Sequence, residues 1–156
     1  MAIIDSFRLA RPEDADQILA AYQNAQKDPF CTWNDSYPTH LGITRDLATN
    51  NLYVITHGGR IAGAISVVPE NELDGFDCWS VKNAKEIARV VVTQPYQRQG
   101  LAYQMVQKIA SMLGTAIHLS VVKTNLPAYH TYLKAGFTVV ADAQMYGNDY
   151  YLMEKI

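Results

Sequence analysis

The residues best able to do chemistry fall in one run, EIARVVVTQPYQRQGLAYQMV, residues 86 to 106. Its first part is rich in β-branched residues and reads as a buried strand, and its last part has the apolar spacing of a helix. The join is Gln-Arg-Gln-Gly. A strand that turns on a glycine directly into a helix leaves the first helical N–H groups without partners, and the helix dipole adds about half a positive charge at the same point. That is the chemistry of holding a diphosphate. Within QRQGLA the spacing is Gln97, Gly100, Ala102. Gly100 lets a ligand approach the backbone, and Ala102 keeps the first helical turn thin. The lysine and hydroxyl of a G-x-x-x-x-G-K-[ST] loop are missing, as is the G-x-G-x-x-G of dinucleotide folds. A diphosphate without those marks suggests coenzyme A more than ATP or NAD. The competing reading of the same six residues is an ordinary strand-to-helix turn.

The elements that must position this turn are legible along the chain. SFRLA at 6 to 10 reads as a short strand, followed by Pro12 at a first helical position and acids at 13, 14 and 16 suited to a helix N-terminus. Ala15, Ile18, Leu19 and Tyr22 then share one helical face. The run QKDPFCTWNDSYP is irregular and aromatic, and Thr39 is placed to cap a second helix with Leu41, Ile43 and Leu47 inside. LYVIT and IAGAISVV form a hairpin about HGGR, whose glycines supply the positive φ of the turn. PENELDGFDCWSVKN is a loop. After EIARVVV comes a helix over 101 to 113, with apolar residues at 101, 102, 105, 106, 109 and 113. AIHLSVV is a strand, NLPAYHTYLKA a helix ending at Gly136 as the residue after its C-cap, and FTVVADA and DYYLMEKI are the last two strands. The order β, α, α, β, β, β, α, β, α, β, β predicts an α/β protein of the α+β type. It would be a three-layer sandwich with a mixed, mostly antiparallel sheet flanked by helices.

A second stretch narrows the chemistry. NLPAYHTYLKAGF, 125 to 137, has Asn125, Ala128, Tyr132, Gly136 and Phe137 in the spacing N-x-x-A-x-x-x-Y-x-x-x-G-F. With this stretch and the Q-x-x-G-x-A turn in the same chain, the sequence resembles the GNAT superfamily of acetyl-CoA-dependent N-acetyltransferases. Both motifs stand in that family's order at about its separation, and the element order fits its fold from end to end.

The resemblance implies roles for individual residues. Backbone N–H groups of Gln97, Arg98, Gln99, Gly100, Leu101 and Ala102 would bind the pyrophosphate of coenzyme A. Val92 matches the position whose backbone pairs with the pantetheine arm, and Val90 the one whose N–H polarises the thioester carbonyl. Asn125, Ala128 and Tyr132 belong to the cofactor side, with Tyr132 matching the residue that protonates the departing thiolate. Glu86, six residues before Val92, has the offset at which the histone-modifying branch places its general base. One departure is Pro95, a position later than the proline common in this turn. Bland alternatives accompany each assignment: Glu86 as a solvent-facing strand residue, Asn125 as a helix cap, Tyr132 as core, His118 and His130 as core or surface histidines.

The expected reaction sets physical demands. An amine near pKa 10.4 is almost wholly protonated at neutral pH and must lose a proton before attack. A carboxylate acting through water can take it, with an effect of about 10²- to 10⁴-fold. The oxyanion needs a fixed donor, which an N–H released by a strand bulge can provide. For the acceptor, the family walls the site with the loop between the first two helices. Here that loop carries Phe30, Trp33 and Tyr37, rings that suit an apolar or cationic amine or belong to the core. The favoured acceptor is a small-molecule or amino-acid-like amine. A protein lysine or N-terminal amine, or a non-catalytic acyl-CoA-binding module, are the alternatives.

Composition supports no other class. With 156 residues, the chain is expected to be one N-acetyltransferase domain over 1–156. Thirteen Lys and Arg against fifteen Asp and Glu give a formal charge of −2, so nothing argues for nucleic acid or an anionic membrane. No apolar run approaches a membrane span, and MAIIDSFRLARPED lacks a signal-peptide pattern, so a cytoplasmic location is expected. Cys31 and Cys78 have no CxxC spacing and the four histidines make no ligand cluster, so no metal is expected. Homodimers are common in the family, and a homodimer is the one protein partner the resemblance suggests.

Overall fold

In the computed structural model, which describes residues 6–68 and 72–156, the strand-to-helix corner at the start is held by Asp14. Its carboxylate accepts from the Arg11 N–H at 2.8 Å and pairs with Arg8 at 2.7 Å. The corner joins β1 (Ser6–Leu9) to α1 (Ala15–Ala25), with Pro12–Asp14 forming a 3-10 turn where a helix start was expected. Then follow α2 (His40–Ala48), β2 (Leu52–His57), β3 (Arg60–Val68), β4 (Lys85–Val92) and α3 (Leu101–Leu113). The chain ends with β5 (Ile117–Val122), α4 (Leu126–Lys134), β6 (Thr138–Met145) and β7 (Asn148–Lys155). The leader reading at residues 1–5 and the opening of the loop at 69–71 lie outside the described residues.

Local signals were read correctly where backbone chemistry dominates. Thr39 caps α2 by accepting from the Gly42 N–H, and Gly58 and Gly59 take φ of 58° and 74° in the hairpin turn. One side chain departs from expectation. Leu41, expected inside, is 65% exposed, because α2 is only nine residues long and turns just Ile43 and Asp46 fully inward.

The seven strands form one sheet in the order β1-β2-β3-β4-β5-β7-β6. Among the described strands only β4 and β5 run parallel, so the sheet is mixed and mostly antiparallel as predicted. On one face α3 and α4 bury Met105, Ile109, Tyr132 and Phe137 against Ile65, Ile87 and Leu119. On the other, α1 and α2 bury Ile18, Tyr22 and Ile43 against Leu52, Val54 and Ala64. Each such aliphatic or aromatic side chain contributes about 1.5–3 kcal/mol when fully buried. Three layers result, and the sheet edge-to-centre register fixes what lies at the middle.

Gly63 on β3 shows how tightly the centre is packed. A Cβ there would stand 2.9 Å from both the Met105 Cε and the Val91 carbonyl oxygen. Methionine can move, but the β4 backbone cannot. Gly63→Ala should cost about 1–3 kcal/mol, which lowers Tm by roughly 3–10 °C in a domain of this size. An unchanged Tm would show that β3 and β4 can separate without cost.

Candidate active site

The centre of the sheet opens where β4 and β5 part. They pair only at Lys85↔Ile117 and Glu86↔His118, so beyond Glu86 no strand among the described residues lies against that edge of β4. β5 meanwhile stays paired to β7 along its whole length. The result is a V-shaped gap, lined on one side by backbone that still has hydrogen-bonding capacity. An extended amide-bearing chain can enter such a gap as an added strand would. Within β4 the register against β3 slips, from Ser66↔Ala88 to Ala64↔Val91, so two residues face one and Arg89 takes φ 51°. This is a bulge, and it redirects the backbone at Arg89 and Val90. Val90 and Val92 pack against the α3 side of the core, beside the gap.

At the mouth of the gap stands the α3 N-terminus. Gln94–Tyr96 make a 3-10 turn, Arg98 and Gly100 take φ 64° and 80°, and Gly100 is the N-cap with no side chain to close the helix. The first intrahelical bond comes from the Gln104 N–H to the Gly100 carbonyl at 3.0 Å. The N–H groups of Leu101, Ala102 and Tyr103 precede it and are the ones a helix leaves open. Gln97 and Gln99 instead use their side chains to brace the turn, donating to the carbonyls of Val92 at 3.2 Å and Pro95 at 3.3 Å. A Cβ on Gly100 would meet nothing within 4 Å, so the approach is open. Uncapped N–H donors and a cationic Arg98 fit a pyrophosphate, and the unpaired β4 edge fits the amide-bearing arm of coenzyme A.

On α4 the Asn125 side chain accepts from the Ala128 N–H at 3.3 Å, so it caps the helix. Ala128 is half-buried against the α3 and α4 core. Tyr132 is buried and meets Phe137 edge-on, with ring centroids 5.9 Å apart. Burial raises its pKa above the ordinary phenol value, which keeps the hydroxyl protonated.

Glu86 sits at the vertex of the V. It is 6% exposed, far from the solvent-facing alternative, and its Oε1 has no hydrogen-bond partner among the described residues. Its pKa is pushed up to about 7, first by burial and then by the charge of Glu72. Backbone N–H groups of Glu72 and Leu73 and the charge of Arg89 act against that rise.

The acceptor-loop aromatics divide. Tyr37 reaches the β4 bulge, its hydroxyl accepting from Arg89 Nη1 at 3.0 Å. Trp33 packs edge-on against Tyr22, centroids 5.5 Å apart, in the core beneath α1 and α2. Phe30 is exposed in the loop. Sequence inspection missed Arg89, whose Nη2 pairs with Asp46 at 2.9 Å while Ser66 also donates to Asp46 at 3.1 Å. An aspartate one turn after Ile43 on the inward face of α2 was the available signal; its partner was not readable. Tyr146, at the β6–β7 turn and 82% exposed, was also missed. Its hydroxyl feels Glu72, Tyr37, Tyr150 and Glu86, so it belongs to the same face.

Over residues 18–137 the chain matches the acetyltransferase (GNAT) family. It belongs to that family. Solved GNAT-type structures agree over nearly the whole chain. A GNAT family acetyltransferase from Streptococcus agalactiae is 19% identical with a TM-score of 0.85, covering 100% of this chain and 98% of its own. YncA from Salmonella typhimurium, solved with its cofactor acetyl-CoA, is 20% identical with a TM-score of 0.74, covering 98% and 93%. The ribosomal-protein-alanine N-acetyltransferase of Brucella melitensis is 19% identical with a TM-score of 0.76, covering 97% and 99%. At such identities these likenesses establish the GNAT fold. No curated protein matches the chain in sequence. Among the described residues no helix is long and apolar enough to cross a membrane.

Proposed function

We propose that the chain is an N-acetyltransferase carrying an acetyl group from acetyl-CoA to the primary amine of a small molecule, by direct attack with both substrates bound. The observation that carries this reading is the position of Glu86. A buried carboxyl, one oxygen of which has no partner among the described residues, lies at the point where β4 and β5 diverge, with a pKa pushed up to about 7. Bound acetyl-CoA supplies the thioester and its thiol leaving group. The open N–H groups at the start of α3 hold its diphosphate, and the free edge of β4 at Val90 and Val92 aligns its arm. Glu86 takes the proton of the incoming ammonium, the bulged backbone at Val90 donates an N–H where negative charge develops, and Tyr132 returns a proton to the leaving sulfur. Glu86 is buried beneath the 72–81 segment, whose Glu72 and Leu73 N–H groups reach it, an enclosure that suits a small amine better than a protein surface.

Thiol release measured with a panel of small primary amines and with lysine-containing and free-N-terminal peptides tests the proposal. Turnover on small amines is expected. Turnover on peptides alone would move the acceptor to protein, and tight acetyl-CoA binding with no turnover on either would leave a binding module. Tyr132→Phe should reduce kcat by less than the about 10²-fold typical of general acid–base catalysis, because a thiol of pKa about 8.5 already leaves well. A loss beyond that would make proton donation indispensable.

A further inference from the structure

Glu86 is one end of a buried polar row. The registers Glu86↔His118 and His118↔Glu154 align these residues across β4, β5 and β7. Side chains at paired positions leave a sheet on the same face, with strands about 4.8 Å apart. All three are buried, His118 at 1% and Glu154 at 3% exposed. The 72–81 segment roofs them. Trp79 stacks on the His118 ring, centroids 3.7 Å apart and 11° from parallel, and donates its indole N–H to the Leu73 carbonyl at 2.8 Å. Glu154 accepts from the Ser80 hydroxyl, from the N–H groups of Ser80 and Val81, and shares a hydrogen bond with His118 Nε2 at 2.9 Å.

The row has a direction. Burial opposes ionisation of Glu154, but Ser80, His118 and the Val81 and Ser80 N–H groups outweigh it and hold its pKa below the usual carboxylate value. A carboxylate can only accept, so the hydrogen between Glu154 and His118 rides on Nε2. With Nε2 protonated, Nδ1 is the nitrogen with room for a further proton. His118 Nδ1 and Glu86 Oε1 are both buried and without hydrogen-bond partners among the described residues. They belong to neighbouring, register-paired side chains, and one water between them would give both a partner.

We propose that His118, held by Glu154, is the proton acceptor behind Glu86. This rests on the base role given to Glu86 above. The N–H bond of the acceptor ammonium breaks as an O–H bond forms on Glu86. That O–H then breaks, through the bridging water, as an N–H bond forms on His118 Nδ1. The net change is ammonium plus imidazole to amine plus imidazolium. The new cation lies between the Glu154 carboxylate and the face of Trp79, both of which favour it. His118 touches no substrate and acts through Glu86, as a positioning and proton-holding residue.

Titration of this site involves the charged and titratable groups facing it: Glu86 and Arg89 from β4, Glu154 from β7, Tyr146 from the β6–β7 turn, and Glu72 and Cys78 from the roof. Two measurements separate the relay from a structural histidine. The His118 ring signals are followed by NMR between about pH 5 and 9 in wild type and in Glu86→Gln, with no substrate present. The relay predicts a displaced titration curve in the variant; superimposable curves overturn it. The pH profile of kcat/KM is then compared for wild type and His118→Gln, expecting a loss of about tenfold or more and a moved acid limb. A profile lowered by one constant factor at all pH values overturns the relay and leaves His118 a packing residue. If His118→Gln does not fold, Glu154→Gln replaces it, with the same limb expected to move and the same constant-factor result overturning the proposal. Full activity in Glu86→Gln removes the base itself and the relay with it, whereas an inactive Glu86→Gln with unchanged ring titration removes only the relay.

Discussion

Replacing Glu86 by glutamine lowers kcat at pH 7 by about 10²- to 10⁴-fold, and the same substitution raises Tm at pH 8. The kinetic loss follows from the amine. At neutral pH almost every acceptor molecule carries a proton that glutamine cannot take. As pH rises the free amine becomes more abundant without help, so the deficit shrinks. Wild-type kcat/KM should rise along an acid limb near the Glu86 pKa of about 7, and the variant should lack that limb. Equal rates for the two proteins at pH 7 would remove Glu86 as the base.

The stability gain has the opposite sign for a related reason. Glu86 has a folded-state pKa raised from 4.5 to about 7, so folding favours its neutral form. Stability from that form is fully present below the unfolded pKa and is lost as pH rises through about 7. At about 1.4 kcal/mol per unit, the ionised wild-type protein gives up about 3 kcal/mol at pH 8 that a neutral glutamine retains. Tm of Glu86→Gln should therefore exceed wild type by roughly 6–12 °C at pH 8, and the difference should vanish near pH 4.5. A difference independent of pH would mean that the carboxyl is not held neutral by burial.

Saturating acetyl-CoA raises Tm by roughly 5–10 °C, since a ligand at ~100 times its Kd adds about 2.7 kcal/mol. Two features of the fold make this expected. Among the described residues the α3 N-terminus has no side-chain cap, and β4 beyond Glu86 has no strand on one edge. Both leave backbone groups that a ligand with a diphosphate and two amides would satisfy at once. Part of the gain is ionic, so it should fall as salt is added. If millimolar acetyl-CoA leaves Tm unchanged, the Gln97–Ala102 turn is structural and the functional reading falls with it.

The legible parts of this protein are those decided within a few residues. Gly100 in Q-R-Q-G-L-A, the caps Thr39 and Asn125, the Gly58-Gly59 turn and the helix over 101 to 113 were all readable, because φ preference, capping and helical periodicity act locally. Tyr132 and Glu86 could be singled out through motif spacing, but their surroundings could not. Trp33 went to the core and Tyr37 to the bulge although both stand in the same irregular loop, since no periodicity there says which ring turns inward.

Sequence by itself determined the family, the order of strands and helices, and the glycine turn that opens α3 without a side-chain cap. Only the tertiary structure decided the site. The V between β4 and β5, the bulge at Arg89 and the row Glu86, His118, Glu154 each depend on which strands lie side by side and in what register. Register is set by packing of whole sheet faces against α1, α2, α3 and α4, and a one-residue slip would send each of these side chains to the opposite face. A histidine and two glutamates scattered along a chain carry no mark of that alignment; their burial and their partners exist only once the sheet has closed.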